Sequence, residues 1–341
     1  MNEKKNPVAF FPGQGSQHVG MAKELYENFK IAKETFEEAS DAARINLKKL
    51  CFDGPESDLQ LTENTQPALL TASIAAFRVA EKEKGFTPSA VAGHSLGEYS
   101  ALVAAGAFPL ASAVAWVRER GRAMQIAVPA GQGGMAAILS VDDPVIEALC
   151  KAAVVSAKGK RLPDSAEKSA EGGAVECVLS PANFNAPGQT VIAGSADAVA
   201  EAVALLKIGE EFKGKAIPLA VSAPFHCALM RPARDRMAEL FASARADERP
   251  KSLRYPYVPN RTAKLNSEAS TVFELLVDQV DHPVLWRQSV SMLIERGYDR
   301  GVEFGPGKVL QGLAKRIVGG HAGATFACTG VSDLKSFGEL V

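Results

Sequence analysis

Short apolar runs alternate with longer stretches of helical period along the chain, and this alternation predicts an α/β protein. Val8 to Phe11 is an apolar run bounded by Pro7 and Pro12, which suits a buried parallel strand. Met21 to Leu50 is polar and helical in character. Gln66 to Lys84 is a stronger helix, carrying Leu69, Leu70, Ile74 and Phe77 and ended by Gly85. Ala90 to Ala92 predicts a second buried strand, followed by a helix from Gly97 to Ala105 that Gly106 and Pro109 stop. The next helix is expected from Leu110 to Val128.

The pattern changes after Pro129 to Gly134, a Gly-rich hinge. Met135 to Val141 reads as a strand, Asp143 to Ala153 as a helix, Val175 to Ser180 and Thr190 to Ala193 as strands, and Ala196 to Leu206 as a helix. A last strand of this group runs from Lys215 to Val221. The order β-α-β-β-α-β is the ferredoxin-like signature. The expected fold is therefore a hydrolase-like parallel-sheet core, residues 1–130 and 213–341, with an inserted ferredoxin-like α+β subdomain, residues 131–212. Ser156 to Gly173 has no periodicity and is expected to be a mobile surface loop. Beyond the insertion, helices are expected over Arg231 to Ala246, Val272 to Val280, Val284 to Ile294 and from Val309, with strands at Val302 to Phe304 and Thr325 to Thr329. Pro250 to Pro259 reads as an edge segment.

Composition changes the picture little. With 341 residues, 47% of them apolar, the chain can bury a large core in two folding units. Its 38 basic and 39 acidic side chains give no field to attract nucleic acid or an anionic membrane. The five cysteines lack a C-x-x-C pair and read as reduced thiols. No signal-peptide core follows Met1 to Pro7, and no apolar run approaches the roughly 20 residues that span a bilayer. A soluble, cytoplasmic, monomeric protein is expected. No histidine pair has metal-ligand spacing, so neither a metal nor a cofactor is expected.

Gly93-His94-Ser95-Leu96-Gly97 lies between the second strand and its helix. In that context G-x-S-x-G is a nucleophile elbow, with Ser95 as nucleophile and the Leu96 N–H aimed where an oxyanion would form; the bland alternative is an ordinary strand-to-helix turn. Gly13-Gln14-Gly15 after the first strand either brings backbone close to a ligand or is a plain connecting loop. On the helix beginning at Leu110, Arg120 shares a face with Ala113, Val117 and Met124. A buried guanidinium needs a partner, either a ligand carboxylate or an internal acid. His226 ends a strand just after Pro224-Phe225, where a general base could be held.

These residues resemble those of the malonyl-CoA:acyl carrier protein transacylases, the acyltransferases of fatty-acid synthesis. The likeness rests on Phe11 to Gln17, Gly93 to Ala105, Arg120-Gly121, Asn183 to Asn185 with Pro187 to Gln189, Ala223 to Met230, and Glu303 to Gly307. It implies transfer of malonyl from malonyl-CoA to the phosphopantetheine thiol of acyl carrier protein through a malonyl-Ser95 intermediate, with His226 as base. It also implies Gln14 and Leu96 backbone N–H groups in an oxyanion hole, Arg120 on the malonyl carboxylate and Gln279 near His226. Asn185 is a supporting residue, and Phe225 before the histidine resembles the malonyl-selecting pattern. No acidic third member is evident, so a Ser-His dyad is expected. The 156–173 segment and Tyr257 to Asn260 depart from the common pattern, and neither is expected to touch the chemistry. A trans-acting acyltransferase of a polyketide pathway and a serine thioesterase remain open as alternatives.

Overall fold

The computed structural model describes residues 7–160, 175–209 and 212–340. Its centre is a five-stranded sheet built from β1 (Val8–Phe11), β2 (Ala90–Gly93), β7 (Tyr257–Val258), β8 (Arg300–Phe304) and β9 (Ala327–Val331). The strands are all parallel, in the order β7-β2-β1-β8-β9. β1 shows why an unbroken apolar run was needed. Val8 and Phe10 enter one core with Trp286, while Ala9 and Phe11 enter the other with Phe77 and Phe304. A strand covered on both faces has no solvent side to carry polar residues.

Helices α1 (Lys23–Asn28), α2 (Lys30–Ala43) and α3 (Leu47–Asp53) divide the first helical stretch, and α4 (Glu56–Gln60) lies beyond its expected end at Leu50. Helix α5 (Thr62–Lys84) begins earlier than Gln66, with Pro67 inside its N-terminal part. α6 (Gly97–Ala104) and α7 (Leu110–Ile126) follow β2 as expected.

The second sheet is antiparallel and holds β3 (Gly133–Leu139), β4 (Leu179–Ala186), β5 (Gln189–Ser195) and β6 (Lys215–Pro218) in the order β4-β5-β3-β6. With α8 (Asp143–Lys160) and α9 (Ala196–Ile208) packed on it, this has the ferredoxin-like order. Three expectations change here. β6 belongs to this sheet, so the insertion runs past residue 212 to at least Pro218. β4 lies at Leu179–Ala186 rather than Val175 to Ser180, and its ladder shifts register between Pro181 and Asn183 and again between Phe184 and Ala186, which erases clean alternation. The segment read as a loop begins inside α8, whose end at Lys160 lies beyond Ser156; its remainder, 161–173, falls outside the described residues.

The inserted sheet is joined through the backbone to the segment of the core chain just before Trp286. Phe184 N–H donates to the Val284 carbonyl at 2.9 Å, and Val284 N–H donates to the Ala182 carbonyl at 2.9 Å. Beside them Asp143, at the start of α8, pairs with Arg287. Helices α10 (Arg231–Ala242), α11 (Val272–Asp278), α12 (Trp286–Glu295), α13 (Val309–Val318) and α14 (Leu334–Gly338) complete the described chain. Among the described residues no helix is long and apolar enough to cross a membrane, and no cluster of His, Cys, Asp and Glu could hold a metal ion.

Candidate active site

The site forms beyond the carboxyl ends of β1 and β2, the usual place for ligands in a parallel sheet. Ser95 lies two residues past the end of β2 and sits at φ +52°. The flanking glycines are there for space. A Cβ on Gly93 would lie 1.9 Å from the Gly97 carbonyl oxygen, and one on Gly97 would lie 2.0 Å from that of Phe11. The turn is therefore pressed against β1, and the His94 N–H donates to the Phe11 carbonyl at 3.0 Å. So tight a turn, with the serine in a left-handed conformation, is the geometry an elbow requires.

His226 reaches Ser95 from the far side of the insertion. Its Nε2 lies 2.7 Å from Ser95 Oγ, and its Nδ1 lies 2.9 Å from the backbone carbonyl of Gln279. A carbonyl can only accept, so Nδ1 carries the proton and Nε2 offers its lone pair to the serine hydroxyl. The orienting group is a neutral backbone carbonyl. Burial pushes the imidazole down to about 3, with the Arg120 charge as the second cause. His226 also has a left-handed backbone, φ +61°. Pro224 is seated against Gly133, where a Cβ would come within 2.5 Å of the proline ring.

Arg120 is 1% exposed. Gly121 lets α7 close on α5, since a Cβ there would be 2.6 Å from the Thr62 carbonyl oxygen. That approach brings Gln66 to the guanidinium. Nη1 donates to Gln66 Oε1 at 2.8 Å, and Nη2 donates to Gln279 Oε1 at 2.8 Å and to Ser95 Oγ at 3.3 Å. Nε has no partner among the described residues. The internal acid that would have tied the arginine away is absent from its contacts: both acceptor amides are neutral, and Glu98 acts on it only at longer range.

Gln14, Leu96, Phe225, Ser95, His226 and Arg120 line one cavity of about 590 Å³, a size usual for a small-molecule site. Among the described residues, no backbone or side-chain acceptor takes the Gln14 or Leu96 N–H. Asn185 is one step removed: its Oδ1 lies 2.8 Å from His94 Nε2 rather than from Ser95 or His226.

Sequence reasoning missed Gln66, Glu98 and Asn260. Asn260 corrects the expectation that Tyr257 to Asn260 stays clear of the chemistry. Its Oδ1 accepts from Ser95 N–H at 2.7 Å and its Nδ2 donates to the Gly93 carbonyl at 2.6 Å, so it clips the elbow from the end of β7. A buried asparagine close after a strand was the available signal.

The acyl transferase domain family matches residues 8–322. A malonyl CoA-acyl carrier protein transacylase of Salmonella typhimurium is 46% identical over 90% of this chain and 91% of its own length, and one of Bacillus subtilis is 45% identical over 91% and 90%. Among solved structures, an acyl carrier protein S-malonyltransferase of Vibrio cholerae superposes with a TM-score of 0.85 at 40% identity, covering 98% of this chain and 99% of that one. A malonyl-transacylase solved with its type II polyketide acyl carrier protein gives a TM-score of 0.85 at 40% identity, covering 98% of each chain.

Proposed function

The chain belongs to the acyl transferase domain family and, within it, to the malonyl CoA-acyl carrier protein transacylases; from there we propose that it moves malonyl from malonyl-CoA to the phosphopantetheine thiol of acyl carrier protein, supplying fatty-acid synthesis. One observation carries this reading: a buried guanidinium with only neutral protein partners stands 3.3 Å from the hydroxyl that the histidine activates.

Transfer proceeds in two halves. Ser95 Oγ attacks the thioester carbonyl while His226 Nε2 takes its proton. The Gln14 and Leu96 N–H groups hold the tetrahedral oxyanion, whose collapse expels the coenzyme A sulfur with the proton from His226. His226 then deprotonates the carrier thiol, which attacks the malonyl ester and regenerates Ser95, a ping-pong cycle. Arg120 pairs with the malonyl carboxylate throughout. That pairing also masks the positive charge that helps hold His226 down, so the imidazole becomes a better base once the right acyl group is in place. The scheme invokes no cofactor.

A polyketide carrier is the second reading, favoured by the type II polyketide complex of the 40%-identical transacylase. Transfer assays with both carrier types separate the two. A thioesterase is disfavoured, because Arg120 occupies the acyl pocket. On incubation with malonyl-CoA, intact-mass analysis should find one malonyl ester that holo carrier protein removes, and none on Ser95→Ala. An adduct retained by Ser95→Ala overturns the mechanism.

A further inference from the structure

Glu98 is the buried acid of the site that the mechanism leaves without a task. It is 1% exposed, at the first turn of α6, three residues after the nucleophile. Its Oε2 accepts from Gln279 Nε2 at 2.7 Å and from the Asn260 backbone N–H at 3.0 Å. Its Oε1 has no partner among the described residues. The acid thus touches both supports of the site and neither reacting group.

What it does to Gln279 follows from the chemistry of an amide. Gln279 Nε2 is shared between Glu98 Oε2 and the Ser95 carbonyl, at 3.0 Å. The carbonyl can only accept, and Oε2, which also faces the Asn260 N–H, accepts as well, any proton on the acid sitting on the unpartnered Oε1. The amide nitrogen is fixed on that side, so Oε1 must face Arg120 Nη2. Turned over, the amide would set its N–H₂ against the guanidinium, donor against donor. The backbone carbonyl of the same residue holds His226 Nδ1.

Resting on the malonyl-transfer reading, we propose that Glu98 is a positioning residue: its Oε2 sets the orientation of the Gln279 amide and, through it, the guanidinium of Arg120 that reads the acyl carboxylate. The acceptor oxygen, not the charge, performs this role. Burial pushes the carboxyl up to about 7, and Oε2 accepts whether or not the group is protonated.

The test compares malonyl and acetyl loading of Ser95, by intact mass, in three proteins of matched thermal stability. Glu98→Met keeps the length and removes the acceptor; Glu98→Gln removes the charge and keeps an oxygen. Glu98→Met should lower the malonyl-to-acetyl ratio of kcat/KM by about tenfold to a hundredfold, the weight of a hydrogen bond to a charged group. Glu98→Gln should return the ratio to within about threefold of the original protein. Equal losses in both variants would assign the effect to charge, and an unchanged ratio in Glu98→Met would show that the acid does not act through Arg120; either overturns the proposal. If Glu98→Met does not fold, Gln279→Met interrupts the same chain of contacts: the same fall in the ratio is expected, and a ratio that does not move overturns the proposal. Failure of the unaltered protein to load malonyl would instead sink the transacylase reading itself.

Discussion

The two sides of the reactive hydroxyl are held by different physics. On the elbow side, Ser95 is fixed by lack of room: backbone passes backbone at distances that only glycine permits, at Gly93 and Gly97. On the recognition side, Arg120 and His226 are held by the amides and carbonyl of Gln66 and Gln279, whose donors and acceptors must each point the right way. Steric fixation tolerates nothing and affects every substrate alike. Polar fixation degrades by degrees, and its losses depend on which acyl group is offered.

Substitutions should expose this difference. Gly97→Ala carries the largest expected effect: with a Cβ 2.0 Å from the Phe11 carbonyl oxygen the β1 end must move, at a cost above about 4 kcal/mol, and denaturant titration should show it. A folded, active Gly97→Ala protein would break the steric half of the contrast. Asn260→Ala should cost about 3 kcal/mol by the same titration, since the buried Ser95 N–H and Gly93 carbonyl both lose a partner. Arg120→Ala should spare the fold more than the chemistry, with malonyl loading falling about a hundredfold further than acetyl loading. Equal losses would remove the carboxylate role. Asn185→Ala, which frees only His94, should cost about 1 kcal/mol and leave the acyl ratio unmoved.

The smallest effect is expected on loading rate as pH falls. Because His226 is depressed to about 3, its imidazole stays neutral through pH 6.5, and single-turnover loading should not drop there. Stability behaves otherwise. The unfolded chain takes up a proton near 6.5 that the native histidine refuses, so this contribution is lost as pH falls from 6.5 toward 3. Glu98 has the opposite sign: raised to about 7, its contribution is full below its ordinary value and is lost as pH rises through 7. Glu98→Gln should therefore steepen the loss of stability on mild acidification. A loading step centred near pH 6.5 would show an ordinary, solvated histidine.

The parts legible in the sequence are those where local pattern and tertiary role coincide. Val8–Phe11 is apolar on every residue because both faces are covered, and the Ser95 turn carries its glycines on either side. Arg120 stood out as a cation on an apolar stripe. What stayed hidden depends on partners far along the chain. Glu98 and Asn260 are separated by 162 positions and read as an ordinary helix start and loop. The first turn of α5 was missed because Pro67 suggests a start rather than an interior position, and β4 because Pro181, Asn183 and Asn185 interrupt its alternation.

The backbone bridge from β4 to Val284, with Asp143 and Arg287 beside it, has a further consequence. The cleft has Met135, Asn183 and Leu219 for one jaw and Gln14, Ser95 and Arg120 for the other, and the jaws are stitched by main-chain bonds. Parting them would break those two bonds, so a slot of fixed width is expected. Such a slot should sort acyl groups by girth as well as by charge, so a bulkier acyl-CoA should load only after a jaw residue such as Met135 or Leu219 is cut back.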